Sequence, residues 1–395
     1  MIEVNGKYNN AKIFTDNVEQ TAISQIIELC NEESFKDTKI RIMPDVHAGK
    51  GCTIGTTITL NGKVVPNLVG VDLGCGVFCV KLADKNIDFN KLDKVIREYI
   101  PSGQNIRLEE HVYNKYVKLN SLKCKSNINI DRAKKSIGTL GGGNHFVELN
   151  KDSEDNLYLV VHSGSRYLGK QVAEFYQNKA IQYHKDQKSK KQEVIKQLKQ
   201  QGREKEIQQT LSAMTVPKIN ESLTYLEGED YSDYLNDMQI AQDYAVFNRK
   251  AIADTIIEKM QLTSVESFTT IHNYIDTSNE ILRKGAIRAN KNEKVLIPIN
   301  MRDGSIIAIG KGNEDWNCSA PHGAGRILSR GKAKETICLD DFVETMKDVY
   351  TTSVCESTID ESPFAYKPME EILNNITETV DVLTVIKPVY NYKAN

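Results

Sequence analysis

From Lys170 to Gln201 the chain runs without a glycine or a proline, and lysine, glutamine and glutamate dominate the stretch. Both absent residues penalise a helix interior, by roughly 1 kcal/mol for glycine and 3 for proline, whereas straight-chain residues lose little rotamer freedom there. The segment is therefore expected to form long helices, with Gly202 and Pro217 as the punctuation. DYAVFNRKAIADTIIEKM (243–260) spaces its apolar residues at the helical period and predicts a second amphipathic helix. On either side the texture changes to glycine and short β-branched runs. TIGTTITLNGKVV (53–65) reads as a hairpin turning at Asn61-Gly62, because Asn-Gly suits a type I′ turn. VFCVKL (77–82) and LYLVVH (157–162) read as buried strands, and DFNKLDKVIREYI (88–100) as a helix. From residue 268 the β texture returns in FTTIHNY, VLIPIN and SIIAIG, the last two separated by an Arg302-Asp303-Gly304 turn. Sheet text on both sides of a helical zone predicts an α/β (mixed α+β) chain. It would be one catalytic body over 1–395, with mixed β-sheets flanked by helices and residues 170–235 as an inserted helical hairpin.

At 395 residues the chain is long enough for an ample core. A formal net charge of −2 gives no global basic field, so any nucleic-acid site must be a local patch. The first residues, MIEVNGKYNNAKIF, lack a basic segment followed by an apolar run, and no stretch approaches the roughly 18 apolar residues of a membrane span. The eight cysteines are scattered, without the dense spacing of a disulfide framework, and are expected to be free thiols in a reducing compartment. The cytoplasm is the expected location.

Five of the seven histidines sit in unusual local text: PDVHAGKG (44–51), GGGNHFVE (141–148), VVHSGSR (160–166), TIHNY (270–274) and SAPHGAGR (319–326). His111 and His184 lie in charged, helical-looking text and are expected at the surface. His145 follows three glycines, which lets the backbone pass close to a ligand or adopt φ > 0. His162 ends a predicted strand, and His272 stands in a similar strand-to-loop position. In LVGVDLGCGV (68–77) a glycine-bearing turn can bring the Asp72 carboxylate and the Cys75 thiolate to one point. Cys79, four residues along an extended strand, would lie about 13 Å from Cys75 and is the poorer ligand. Asp72, Cys75, His145, His162 and His272 are thus candidate metal ligands. Thiolate and imidazole suit zinc; a carboxylate and a bridging thiolate leave room for two ions, and manganese then fits as well.

His322 differs from the others. Pro321, Gly323, Ala324 and Gly325 surround it and Arg326 follows, giving an imidazole on a tight loop beside a guanidinium, which suits a phosphate oxyanion. Such a histidine can act as a nucleophile toward phosphorus or as a general base; a sixth metal ligand and a plain loop residue are the alternatives. Arg166 and Lys284, in HSGSR and RKGAIRA, add cationic groups on glycine-bearing loops.

Taken as an ordered set, PDVHAGKG, VGVDLGCG, GGGNHFVE, HSGSR, HNY, RKGA, HGAGR and the terminal YNYKA resemble the RtcB family of RNA-splicing and repair ligases. The likeness runs over nearly the whole chain. It implies an enzyme that joins an RNA 3′-phosphate or 2′,3′-cyclic phosphate to a 5′-hydroxyl using GTP and Mn²⁺. Asp72, Cys75, His145, His162 and His272 would then hold two manganese ions, with Cys75 bridging them. His322 would carry GMP; Asn144, Phe146, Glu148, Gly323, Ala324, Gly325, Tyr366 and Lys393 would form the guanylate pocket. The resemblance places Asp45 near the site and gives Arg166 and Arg326 to the RNA phosphate. It also allows a small activator of the archease type.

The chain departs from the family's better-known members at PINMRDGSII (298–307), where they carry a Gly-Ser-Met-Gly-Thr-like loop. Two other readings share most of these residues: a guanylyltransferase that caps 3′-phosphate ends without sealing, and a non-catalytic protein that binds RNA ends. The eight lysines and arginines at 185–205 are expected to form a solvated helix face, with an electrostatic grip on an RNA backbone as the functional alternative.

Overall fold

The structure, a computed structural model, describes residues 1–213 and 220–394. Pro217, expected to punctuate the helical zone, lies outside the described residues. Two principal sheets organise the chain. The first runs in the order Ile2–Asn5, Asn10–Ile13, Ile40–His47, Ile54–Thr59, Ile281–Lys284 and Asn273–Asp276. The second runs Ser264–Ile271, Gly76–Leu82, Leu157–Ser163, Phe146–Lys151, Val380–Lys393, Gly304–Gly310 and Lys294–Asn300, with the short strand Tyr350–Thr351 beside Val380–Lys393. This sheet curls until its end strands approach each other, joined by the Lys294–Glu266 ion pair.

Strand periodicity explains what the curl encloses. Successive side chains of a strand point to opposite faces. Val77 and Cys79, Tyr158 and Val160, and Phe146 pack in one cluster with Leu296, Ile307 and Ile386 from the far side of the curl. Their neighbours Val80, Leu82, Val147, Leu149, Leu159 and Val161 pack outward against Ile252 and Ile256 of the helix Gly228–Met260. By the same alternation Cys75, His162 and Glu148 fall on the inner face. Buried on both faces, these strands read as nearly continuous apolar runs, as expected for a covered sheet.

The helix Phe89–Tyr99, capped by the Asp88 carboxylate on the amide of Lys91 at 3.1 Å, packs on the outer side as well. The glycine-free stretch forms the helix Arg166–Gln200, which ends just before Gly202 at φ +69°. Leu168, Val172 and Tyr176 of this helix pack with Tyr234, Met238 and Ala241 of the other long helix.

Two expectations need correction. The second helix begins at Gly228, well before residue 243. Its first half is acidic and polar on one side, yet it buries Tyr234, Met238 and Ala241, and Glu229 and Asp230 favour its N-terminal dipole. The 53–65 hairpin does not form. Ile54–Thr59 already pairs with Ile40–His47 on one edge and Ile281–Lys284 on the other, so no edge remains for its sequence neighbour. Lys63–Val64 pairs instead with Leu226–Glu227. Gly62 does adopt φ +80°, but the Asn61 amide turns away to the carbonyls of Ser34 and Lys36.

Candidate metal centre and nucleotide pocket

The two sheets meet at His272, the single residue between Ser264–Ile271 of the second sheet and Asn273–Asp276 of the first. His162 stands near the end of its strand, His145 immediately before Phe146–Lys151, and Cys75 immediately before Gly76–Leu82. Strand ends from three neighbours therefore converge on one point. Two ligand groups form there, Asp72 with Cys75 and His145, and Cys75 with His162 and His272, each with its ligand atoms within 4.8 Å. Cys75 belongs to both. Its Sγ lies 3.5 Å from His145 Nε2 and 3.4 Å from His162 Nε2, and Asp72 Oδ2 lies 3.1 Å from His145 Nε2.

Hydrogen bonds behind the cluster fix which nitrogen faces it. His145 Nδ1 donates to the Leu140 carbonyl at 2.9 Å and His162 Nδ1 to the Asn144 carbonyl at 3.2 Å, leaving both Nε2 lone pairs inward. His272 Nδ1 is buried with no hydrogen-bond partner among the described residues. Burial, then the potential of neighbouring imidazoles, holds His162 and His272 well below the usual histidine range, in the neutral form that ligates metals. Burial and then Asp72 push the Cys75 thiol well above its ordinary value, so a thiolate there requires a cation. Burial opposes ionisation of Asp72, but His145 and Arg166 outweigh it and hold its carboxyl below the usual range. An orphaned imidazole nitrogen, inward lone pairs and a shared thiol fit a pair of divalent cations.

The support comes from a helix that looked merely amphipathic in the sequence. Asn248 takes the amides of Gly138 and Thr139 on Oδ1 and donates to Ser163 Oγ and the Gly164 carbonyl. Arg249, fully buried and pushed down to about 10 by that burial, donates to the carbonyls of Gly74 and Ser163 at 2.8 and 2.9 Å. These bonds clamp the 72–75 turn and the end of the His162 strand together. Gly164 is required by contact: a Cβ there would lie 2.2 Å from the Asp72 carboxylate oxygens.

A cavity of about 320 Å³ opens beside the second ligand group, with His162 and His272 in its wall. His322 lines it, directly after the strand Ser319–Pro321, its ring centroid 4.8 Å from that of His272. Asp45, wholly buried on Ile40–His47, accepts from His322 Nδ1 at 2.6 Å and from the His322 amide at 3.1 Å, both on Oδ2. A carboxylate only accepts, so Nδ1 carries the proton and Nε2 is left with its lone pair. Gly285 closes against this ring: at φ +59°, a Cβ would come 3.2 Å from His322 Cε1.

The guanylate-pocket residues named from the resemblance line the same cavity: Asn144, Phe146, Glu148, Gly323, Ala324, Gly325, Tyr366 and Lys393. Glu148 is buried between the amides of Asn391 (2.8 Å) and Asn150 (3.2 Å). Burial pushes its carboxyl up to about 7, against the pull of those amides and Lys393. Lys393 Nζ pairs with Glu361 at 2.7 Å and lies 5.6 Å from the Phe146 ring centre. Burial works against the charge on Glu361 as well, but Lys393, Arg330 and Arg326 prevail and hold it at about 2. Arg326 also lines the cavity, with donors on Tyr366 Oη and the Leu328 carbonyl.

Arg166 lies elsewhere, at the Asp72 edge of the candidate ligand cluster, anchored to Thr139 Oγ1 and the Gly103 carbonyl. Lys284 is buried and holds the carbonyls of Lys50 and Asn67, a structural task. The surface placement expected for His111 and His184 is corrected: both are half-buried, His111 capping a short helix and His184 packed on Tyr225. Sequence reasoning passed over Asn248, Arg249, Arg330 and Glu361. An Asn-Arg pair on the apolar side of a helix was the one available signal. All eight cysteines are free thiols, and no described helix is long and apolar enough to cross a membrane.

A family model described as tRNA-splicing ligase RtcB matches residues 30–394. The RNA-splicing ligase RtcB of Escherichia coli K12 is 30% identical over 411 residues, covering 94% of both chains. The tRNA-splicing ligase RtcB of Nanoarchaeum equitans is 23% identical over 435 residues, covering 87% of this chain and 85% of its own.

Proposed function

The chain belongs to the RtcB family of RNA ligases, and on that premise we propose that it joins RNA 3′-phosphate or 2′,3′-cyclic phosphate ends to 5′-hydroxyl ends. The reaction would use GTP and Mn²⁺ and pass through a covalent GMP on His322. The observation that carries the reading is the His322–Asp45 pair, a buried carboxylate 2.6 Å from Nδ1 that leaves Nε2 free in the wall of the cavity. Nε2 attacks the α-phosphorus of GTP; the N–P bond forms as the bond to pyrophosphate breaks. Positive charge developing on the ring is offset by Asp45 through the Nδ1 proton. An oxygen of the RNA 3′-phosphate then attacks the same phosphorus, the N–P bond breaks, and His322 returns to its starting tautomer. The RNA now ends in a 3′-diphosphate-linked guanosine. The 5′-hydroxyl attacks the RNA phosphorus and GMP departs. A cyclic phosphate is first opened by hydrolysis.

Ionised, Glu148 would accept from the N1–H and the amino group of a guanine edge, where adenine offers an acceptor at N1. Phe146 and Tyr366 flank the base, and Asn144, Lys393 and the Gly323-Ala324-Gly325 turn surround the guanylate. Arg326 from inside the cavity and Arg166 from the Asp72 edge supply positive charge for RNA phosphates. Asp72, Cys75 and His145 would hold one manganese ion and Cys75, His162 and His272 the other, and bound there the ions would offset the charge gathering on phosphoryl oxygens.

A sealing assay tests the reading. Two RNA strands, one ending in a 3′-phosphate and one beginning with a 5′-hydroxyl, are expected to join with GTP and Mn²⁺, and His322→Ala is expected to abolish joining. Accumulation of guanosine-capped 3′ ends beside an unused 5′-hydroxyl strand would replace ligation with end-capping. No reaction under any divalent ion would overturn both.

A further inference from the structure

One cavity histidine has no task in the steps above. His47 ends the strand Ile40–His47, two residues after Asp45. Asp45 holds His322 from beneath, and His47 reaches the cavity wall. His47 is paired in register with Ile54, and Ile54, Gly285 and His322 line the cavity with it. Its Nδ1 donates to the Asp45 carbonyl at 2.9 Å, which fixes the ring and places the lone pair on Nε2. Nε2 has no hydrogen-bond partner among the described residues.

The charged groups that face it are His322, Arg326 and Asp45. Burial first, then the potentials of His322 and Arg326, outweigh the hydrogen bond and charge of Asp45 and hold the imidazole below its usual range. At neutral pH it is a free base.

We propose that His47 is the general base of the sealing step, taking the proton from the 5′-hydroxyl through Nε2 as that oxygen attacks the RNA phosphorus. The inference rests on the ligase reading. The attacking oxygen forms its bond to phosphorus, the bond from that phosphorus to the oxygen of GMP breaks, and the proton moves to His47 and on to water. GMP leaves as an anion and needs no acid. The preceding transfers need no base at His47, because their nucleophiles are a neutral imidazole nitrogen and a phosphate oxygen. His47 should therefore matter to sealing and to neither guanylyl transfer.

The test uses two variants that spare the fold in different ways. His47→Asn keeps an N–H near the Asp45 carbonyl and lacks the basic nitrogen; His47→Gln puts an amide where Nε2 stands. Both are assayed for label transfer from α-labelled GTP to the protein and for joining of pre-made RNA ending in 3′-diphosphate guanosine to a 5′-hydroxyl strand. The expected result is retained labelling with joining slowed by about 10²–10⁴-fold, capped RNA accumulating, and partial recovery of joining as pH rises. Joining at the wild-type rate in either variant would overturn the proposal. So would loss of labelling in step with joining, since His47 would then only brace Asp45. If the wild-type protein labels but never joins pre-activated RNA, the ligase reading fails instead.

Discussion

Replacing Asp45 with asparagine perturbs the nucleophile without changing the shape of its surroundings. Asp45 is wholly buried and uses one oxygen, Oδ2, for both the ring Nδ1 (2.6 Å) and the amide (3.1 Å) of His322. The amide N–H needs an acceptor, so the asparagine oxygen stays on that side and His322 keeps its Nδ1 proton. What is lost is the charge. A hydrogen bond to a charged group contributes about 1.5–3 kcal/mol net, which corresponds to roughly 10–150-fold in rate if it acts only when the ring becomes positive. Asp45→Asn should therefore slow formation of the protein–GMP adduct by about one to two orders of magnitude, short of the ~10⁴ typical where an asparagine forces the wrong tautomer. Asp45→Ala, which leaves both donors unpaired, should cost more. The assay is single-turnover labelling with α-labelled GTP, with bound metal measured in parallel as a control. Labelling by Asp45→Asn at the wild-type rate would refute the role of the carboxylate. A loss as complete as that of His322→Ala, with metal intact, would refute the argument that the tautomer is retained.

Because Cys75 belongs to both ligand groups, Cys75→Ala should abolish both bound ions by elemental analysis, whereas Asp72→Ala and His272→Ala should each weaken one. Glu148 has a folded pKa raised to about 7 from 4.5, so its contribution to stability is present at low pH and fades as pH rises through about 7. At 1.36 kcal/mol per pH unit this amounts to about 3 kcal/mol. Glu148→Gln should flatten the fall in melting temperature between about pH 5 and 8 and erase the preference for GTP over ATP in adduct formation. Arg249→Ala strands the carbonyls of Gly74 and Ser163 in the interior. About 2–5 kcal/mol should be lost in denaturant titrations, with weakened metal binding.

Much of the site could be read from residues whose neighbours betrayed a backbone need. Glycines beside Asp72, His145, His162 and His322 marked close approaches, and the geometry accounts for them: the Asp72 carboxylate occupies the space a Cβ of Gly164 would take. LYLVVH read as a strand ending at His162, and the glycine-bearing turn of 68–77 as a way to bring Asp72 and Cys75 together; both are found. The 53–65 hairpin failed because Asn61-Gly62 reports only a local turn. Which strands occupy the edges of Ile54–Thr59 depends on residues 40–47 and 281–284, far away in the chain. Arg249 escaped notice because a buried arginine on a helix is spelled like a solvated one; only the carbonyls of Gly74 and Ser163 explain it. Glu361, beyond any motif, matters through Lys393, Arg330 and Arg326, which meet only when the fold closes. Met301, in the divergent 298–307 segment, lines the cavity, while Arg302 pairs with Asp303 on the exposed turn.

The central claim is that His322 Nε2 forms a covalent bond to GMP, and peptide mapping of protein incubated with GTP and Mn²⁺ tests it most directly. The account predicts one GMP on the peptide that contains His322, on an acid-labile N–P bond, with none on His322→Ala. A GMP mapped to another residue, or a fully metal-loaded protein that never acquires one, would contradict it.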